Sequence, residues 1–237
     1  MTTALIDADI VAYRCAASAE KEEASIAMMR TDLLMQEIIS ATGSTGFKAY
    51  ISGHGEDNFR RKVDPQYKAN RVDVVKPIHL AACQEFLVTH WKAEVVRGYE
   101  ADDAMGMAQT AETVICSIDK DMLQVPGYHY NFVKKEFKQV TEDEGLKAFY
   151  TQTLVGDRAD NVFGVAGIGP VKAAKLLDSL LPQEYYKACL TLYLDDKERL
   201  HRNCKLLWIW RSPGDVWEPP VDPVAARMEE VLNDQAG

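Results

Sequence analysis

Ala4-Leu-Ile-Asp7 is followed by Ile10-Val-Ala-Tyr-Arg14, so that a short apolar run ends in a carboxylate and leads into a second apolar run. This order is typical of a buried β-strand that passes directly into a helix. Further apolar runs at 47–51, 94–96 and 113–118 predict three more short strands, and the last of them is strongly β-branched. The chain is therefore expected to place several short strands in a buried sheet.

Helical patterns alternate with these strands. Apolar spacing predicts helices at 24–41, from Pro77 to about residue 90, and at 101–111, 142–155 and 171–181. Such alternation predicts an α/β fold with a central, mostly parallel sheet flanked by helices. Ligands of parallel sheets gather beyond the carboxyl ends of the strands.

Two stretches lack this alternation. The basic segment 54–76 has little apolar periodicity and is expected to be an exposed excursion, either a loop or partly helical. Prolines cluster after Trp210, which predicts an irregular C-terminal segment with a short helix at 225–232.

The composition is that of a globular protein, with 47% hydrophobic residues in 237. No apolar stretch approaches the length of a membrane helix, and the start lacks a signal-peptide pattern, so we expect a cytoplasmic protein. We also expect it to be a monomer. The five cysteines form no Cys-x-x-Cys pair. This excludes a sequence-evident zinc site or disulfide framework and favours buried thiols.

Carboxylates follow predicted strands or precede predicted turns at four places: Asp7; Glu100, Asp102 and Asp103; Asp119 and Asp121; Asp157 and Asp160. Any one of them is explained by a helix N-cap or a turn. Eight carboxylates at one sheet edge, however, would repel one another and raise each other's pKa unless cations were bound. Mg²⁺ and Mn²⁺ prefer oxygen ligands, and two such ions about 4 Å apart are a known means of phosphodiester hydrolysis.

The net charge of −9 is unusual for a DNA-binding protein, but the charge is unevenly distributed. Residues 60–76 carry six basic side chains against two acids, with Phe59 and Tyr67 close by. Basic groups can grip phosphates, and an aromatic ring can stack on an unpaired base. The alternative is a solvated surface loop whose charges only aid solubility.

A glycine-rich stretch, Gly164-Val-Ala-Gly167-Ile-Gly169-Pro-Val-Lys172, precedes one of the predicted helices. Glycines allow the backbone to approach a DNA phosphate closely, and a helix N-terminus presents free N–H groups to it. Lys172 could add a direct contact. The alternative is an ordinary glycine-rich turn between two helices.

Together these motifs resemble the flap endonuclease/5′→3′ exonuclease family, most closely its phage-type exonuclease branch. The ordered set covers residues 3 to about 180 and comprises Leu5-Ile-Asp7, Phe59-Arg60 with Asp64-Pro-Gln-Tyr-Lys-Ala-Asn-Arg71, Glu100-Ala-Asp-Asp103, Ser117-Ile-Asp-Lys-Asp121, and Gly156-Asp-Arg-Ala-Asp-Asn161 with Gly164-Val-Ala-Gly-Ile-Gly169. The resemblance implies a PIN-like nuclease core at 1–155 with a helical arch at 54–76. A DNA-binding helix–three-turn–helix (helix–hairpin–helix) region at 156–210 and an irregular tail at 211–237 would follow.

The resemblance also implies roles for individual residues. Asp7, Glu100, Asp102 and Asp103 match acids nearer one Mg²⁺ or Mn²⁺ site, and Asp119, Asp121, Asp157 and Asp160 match those nearer the second. Lys68 and Arg71 match catalytic residues that act on the scissile phosphate. The expected DNA contacts are Arg60, Arg61, Tyr67, Gly167, Gly169 and Lys172. K⁺ is a further expected ligand of the Gly164–Gly169 hairpin.

One position departs from the family pattern. The family usually has another aspartate just after the second strand, where this chain has Ile51-Ser-Gly-His-Gly55. We expect a nuclease that cuts DNA, or an RNA–DNA hybrid, at or near a 5′ end. The alternatives are a catalytically weakened protein that binds branched DNA, for which the missing acid is the only support, and a PIN-like ribonuclease.

Overall fold

A computed structural model describes residues 2–53, 55–71 and 74–221. The central element of the fold is a six-stranded sheet. Its strands are β1 (Thr3–Asp7), β2 (Gly46–Ser52), β3 (Glu94–Val96), β4 (Thr113–Cys116), β5 (Gly127–Asn131) and β6 (Glu136–Val140). Their order in space is β3-β2-β1-β4-β5-β6, and only β6 is antiparallel to its neighbour. The predicted α/β class with a mostly parallel sheet is confirmed.

Helices surround this sheet and continue beyond it. They are α1 (Ala8–Ser18), α2 (Ala24–Thr42), α3 (Phe59–Val63), α4 (Leu80–Thr89), α5 (Ala101–Ala108), α6 (Glu142–Val155), α7 (Pro170–Asp178), α8 (Tyr185–Leu192) and α9 (Lys197–Leu207). Local sequence features determine where several of these helices begin or end. Gly43 ends α2 with a φ of 61°, and Thr141 with Glu144 forms a capping box at the start of α6.

The buried apolar side chains form layers on both faces of the sheet and a separate helical core. Helices α1, α2 and α4 cover one face through residues such as Val11, Met35 and Leu87. Helix α5 covers the other face, where Met105 packs. The second core lies among α6 to α9 around Phe149, which is fully buried. The sheet and the helical core are each built on their own apolar set.

Several elements differ from the sequence-based expectation. The β5–β6 hairpin, helices α8 and α9, and a two-stranded pair formed by β7 (Gly156–Asp157) and β8 (Val162–Phe163) were not predicted. The expected strand at 113–118 ends at Cys116, and the next residue, Ser117, donates its hydroxyl to Asp7. The helix expected from Pro77 begins only at Leu80.

The basic segment is less exposed than expected. In its described part it contains α3 and two single-turn 3₁₀ helices, and it packs Arg60 and Tyr67 into the protein. The chain from 211 to 221 is irregular but also packed, since Trp217 is buried near Phe149. The helix expected at 225–232 lies outside the described residues.

Two simpler expectations concern the cysteines and the membrane. All five cysteines are free and buried, as the scattered spacing predicts. Among the residues that the structure describes, no helix is both long and apolar enough to cross a lipid bilayer.

Candidate metal and nucleic-acid site

The candidate site lies at the carboxyl ends of β1 and β4, the two central strands of the sheet. After β1 the chain builds β2 and β3 on one side, and it then returns to build β4 and β5 on the other. At such a reversal of strand order the loops diverge and leave a crevice. Asp7 ends β1, and Asp119 lies three residues beyond the end of β4.

Asp7 is held rigidly at the floor of this crevice. It is 2% exposed and accepts hydrogen bonds from the backbone of Ile10, at 3.0 Å, and from the hydroxyl of Ser117, at 2.8 Å. Burial raises the pKa of Asp7 to about 7, and repulsion from Asp9 and Asp119 adds to this effect. Neighbouring like charges therefore converge on Asp7.

Helix α5 adds acids from its first turn. Burial raises the pKa of Asp102 well above its ordinary value, and repulsion from Asp7, Asp119 and Glu100 contributes in that order. Asp102 thus lies within electrostatic reach of three other carboxylates, and the four acids come from three distant parts of the chain. The structure brings these four predicted residues together.

A second group of acids follows β4. Asp119 accepts a hydrogen bond from the backbone N–H of Asp121 at 2.9 Å and caps the 3₁₀ helix that begins at Lys120. Burial raises the pKa of Asp121 to about 7, followed by repulsion from Asp119 and from Asp157, which lies in β7. Asp119 therefore belongs to both groups and links them.

Two cations of the basic segment lie among the acids. Lys68 Nζ lies 2.6 Å from Glu100 Oε1 and 3.6 Å from Asp160 Oδ2, and Arg71 forms an ion pair with Asp160. Burial alone would raise the pKa of Glu100, but Lys68 and Arg60 lower it. Lys68 also has a φ of 56°, and its N–H donates to the Asp160 carbonyl at 2.9 Å. The predicted catalytic cations are thus held beside the acids.

Asp103 and Arg60 form an ion pair away from solvent. The Arg60 guanidinium donates to both Asp103 oxygens, at 2.6 and 2.8 Å, and both side chains are at least 98% buried. Asp103 also accepts from the backbone of Glu100 and Trp210. In this arrangement both side chains are fully engaged, and the metal role of Asp103 and the DNA contact of Arg60 stay predictions.

Tyr67 lies beside the same acids. It is 3% exposed, and its hydroxyl lies 3.1 Å from Glu100 Oε2 and 2.8 Å from Asp160 Oδ2, so that it can donate to either carboxylate. The ring is packed inside the protein and its hydroxyl can orient two acids of the site, while the contact with DNA stays a prediction.

The other predicted DNA contacts are accessible. Arg61 and Lys172 are exposed, and Gly167 has a φ of 73°, a conformation that favours glycine. Gly169 is the N-cap residue of α7 and is followed by Pro170. The stretch thus passes directly into a helix N-terminus, as both of its interpretations require.

The acids suit a divalent ion by their chemistry more than by their present spacing. As the side chains stand, no three His, Cys, Asp or Glu residues in the described ranges are grouped tightly enough to enclose an ion. Lys68 and Arg71 instead neutralise Glu100 and Asp160. The remaining donors are carboxylate oxygens whose mutual repulsion a divalent cation would relieve, so the donor set fits a hard ion such as Mg²⁺ or Mn²⁺.

The sequence-based reasoning missed Asp9. This residue lies in the first turn of α1, and its Oδ2 accepts the backbone N–H of Ser52 at 2.8 Å. An acid in the first turn of a helix is a common feature that stabilises the helix dipole. The pattern Asp7-x-Asp9 in the sequence therefore does not distinguish an acid of the site from one that only stabilises the helix.

Comparisons with known proteins agree with this geometry. Residues 2–151 match the family model described as 5′–3′ exonuclease, N-terminal resolvase-like domain. A flap endonuclease Xni from Shewanella putrefaciens is 30% identical over 139 residues, covering 52% of this chain and 53% of the relative. DNA polymerase I of Borreliella burgdorferi is 34% identical over 143 residues, which are 50% of this chain and 15% of that protein. The chain thus spans about half of one relative and a small part of the other.

Solved structures share the fold over most of the chain. The T5 5′-exonuclease with bound zinc has a TM-score of 0.67 at 17% identity, covering 87% of this chain and 89% of that one. A bacteriophage T5 flap endonuclease in a pseudo-enzyme-product complex with DNA and metal ions has a TM-score of 0.63 at 19% identity, with the same coverage.

Proposed function

The chain belongs to the 5′–3′ exonuclease family, and from this premise we propose that it is a metal-dependent nuclease that hydrolyses phosphodiester bonds at or near DNA 5′ ends. The observation that carries the proposal is the convergence of Asp7, Asp102 and Asp119 at the reversal of strand order, with Lys68 close by. The relatives named as flap endonucleases support the same class of reaction.

Two groups of residues would hold the ions. Asp7, Glu100 and Asp102 would serve one ion, and Asp119, Asp121, Asp157 and Asp160 the second. Divalent ions in these positions would supply an activated water and charge stabilisation for the leaving oxygen. Zinc and other metal ions in the T5 structures support metal dependence. The division into two sites is part of the proposal.

Lys68 and Arg71 have a separate role in this mechanism. In the structure they neutralise Glu100 and Asp160. With divalent ions held by the acids, both side chains would be free to contact the scissile phosphate and to offset charge that develops there. The hydroxyl of Tyr67 would help to keep Glu100 and Asp160 in place.

The glycine stretch before α7 would bind the adjacent duplex. Gly164 to Gly169 and the first turn of α7 present backbone N–H groups, and Lys172 adds an exposed charge. This arrangement supports a helix–hairpin–helix contact with a phosphate backbone. K⁺ at the same stretch and cleavage of RNA–DNA hybrids stay predictions.

A cleavage assay tests this function. The wild-type chain is incubated with a flap and with a blunt duplex, each labelled at the 5′ or at the 3′ end, in Mg²⁺, Mn²⁺ or EDTA. We expect short 5′-labelled products with either metal and none with EDTA. The relative rates on the two substrates then distinguish exonuclease from flap preference. Tight binding of the flap without cleavage in any metal would instead support a DNA-binding protein.

A further inference from the structure

Asp9 is an acid of the site that matches none of the eight motif carboxylates. It is half-buried in the first turn of α1, two residues after Asp7. Its carboxylate accepts a hydrogen bond from the last residue of β2, at the same edge of the sheet as Asp7, so it lies at the crevice. It therefore adds a further carboxylate to the group nearest Glu100.

The hydrogen bond to Ser52 gives this side chain a fixed position. Ser52 is the last residue of β2, and its N–H donates to Asp9 Oδ2 at 2.8 Å. The Ser52 hydroxyl in turn accepts from the backbone N–H of Ala101 at 3.0 Å, in the first turn of α5. Ser52 therefore connects the helix that carries Asp9 with the helix that carries Glu100 and Asp102.

The end of β2 itself offers no carboxylate, since it reads Ile51-Ser52-Gly53. A carboxylate cannot be added at Gly53 without displacing the backbone, because a Cβ there would lie 2.5 Å from the Val96 carbonyl oxygen. Asp9 reaches the same end of β2 from the neighbouring helix. Helix α1 thus provides a carboxylate at the end of β2, where the strand itself provides only a serine.

A purely structural role does not explain a carboxylate here. A neutral asparagine would accept the Ser52 N–H equally well, and the favourable interaction of an acid with the helix dipole is small. Several carboxylates that share one crevice repel one another, and a divalent cation bound among them would relieve that repulsion.

We infer that Asp9 is a ligand of the metal site nearest Glu100, either directly or through a water, and provides the carboxylate at the end of β2. This inference rests on the proposed metal dependence. It predicts that the negative charge of Asp9, and not only its hydrogen bond, determines the metal affinity of the site.

Asp9→Asn separates these two roles, because it keeps the acceptor for Ser52 and removes the charge. Mn²⁺ binding is measured by isothermal titration calorimetry, and folding by thermal melting. We expect Asp9→Asn to melt like wild type and to lose about tenfold or more in Mn²⁺ affinity at one site. The Mg²⁺ concentration for half-maximal cleavage should rise accordingly. Asp143→Asn, an exposed acid in the first turn of α6, is the matched control and should bind Mn²⁺ as wild type does.

A second variant tests whether a carboxylate on β2 can take the place of the Asp9 carboxylate on α1. Asp9→Asn combined with Ser52→Asp returns a carboxylate to the end of β2 and should recover most of the lost Mn²⁺ affinity. Wild-type affinity in Asp9→Asn alone would overturn the inference and leave the proposed nuclease intact. A wild-type chain that binds no Mn²⁺ at all would overturn both.

Discussion

Arg60 and Arg61 are adjacent in the chain but have opposite surroundings. Arg60 is 2% exposed and donates to Asp103 and to the Leu206 and Trp208 carbonyls, whereas Arg61 is exposed beside Gly55. The Asp103 charge raises the pKa of Arg60 in spite of its burial. The pair thus fixes α3 against α5 and the end of α9.

This contrast yields a prediction for two matched variants. Arg60→Ala leaves the Asp103 carboxylate buried without its partner, so the free energy of unfolding should fall by about 3–5 kcal/mol. Arg61→Ala should change it by no more than about 0.5 kcal/mol. Urea denaturation measures both. A loss of similar size in the two variants would contradict the structural role of Arg60.

At the scale of single residues, the sequence identified the acids but not their partners. Asp102 and Asp103 are neighbours in one motif, yet the Asp102 side chain lies near other acids, whereas Asp103 forms an ion pair with Arg60. Only the orientation of α5 separates them, because successive helix residues point about 100° apart. Tyr67 is likewise predicted to contact DNA from its basic neighbours in the sequence. Its burial depends on tertiary packing, which those neighbours do not reveal.

At the scale of elements, the strands that carry acids were predictable and the rest of the sheet was less so. Strands β1 and β4 are short, buried and apolar, so their composition identifies them. Strand β6 is mostly exposed and reads Glu-Phe-Lys-Gln-Val, which has no distinct pattern. Its stability comes from pairing with β5, and a single segment does not reveal such pairing.

Helix α7 is the element on which the proposed duplex contact depends. Lys172 lies in its first turn and Lys175 in its last, and both side chains are exposed. If the N-terminus of α7 contacts a phosphate, Lys172→Ala should weaken duplex binding. It should also reduce the slope of log affinity against log salt by about 0.9.

Lys175→Ala is the control within the same helix and should leave both quantities close to wild type. The affinities are measured by fluorescence anisotropy in EDTA, over a series of salt concentrations. Equal losses for the two lysines would indicate a general charge effect and would contradict a contact localised at the first turn.

At the scale of the molecule, the site joins two separately packed parts. Asp7, Asp102 and Asp119 stand on the sheet, whereas Asp157 and Asp160 lie on the turn beside the helical core. The basic segment connects them, since its Lys68 and Arg71 pair with acids from both parts. The complete site can therefore form only when both cores are folded and in contact.

The net charge of −9 is consistent with a nucleic-acid enzyme when its distribution is considered. Many of the acids gather in the crevice, where divalent cations would neutralise them, and exposed cations such as Arg61 and Lys172 lie outside it. A sum over the whole chain cannot distinguish such clustering from a uniformly acidic surface. The sequence showed where the acids occur along the chain, and the topology brought them to one edge.

The central claim is that acids at the carboxyl ends of β1 and β4 bind the ions that support cleavage. Single-turnover cleavage of a 5′-labelled flap in Mg²⁺ tests it most directly, with Asp102→Asn compared against Asp143→Asn. Both acids lie in the first turn of a helix, but only Asp102 faces the crevice. Asp102→Asn should slow cleavage by about 100-fold or more while Asp143→Asn cuts at the wild-type rate. An unchanged rate in Asp102→Asn would contradict the account.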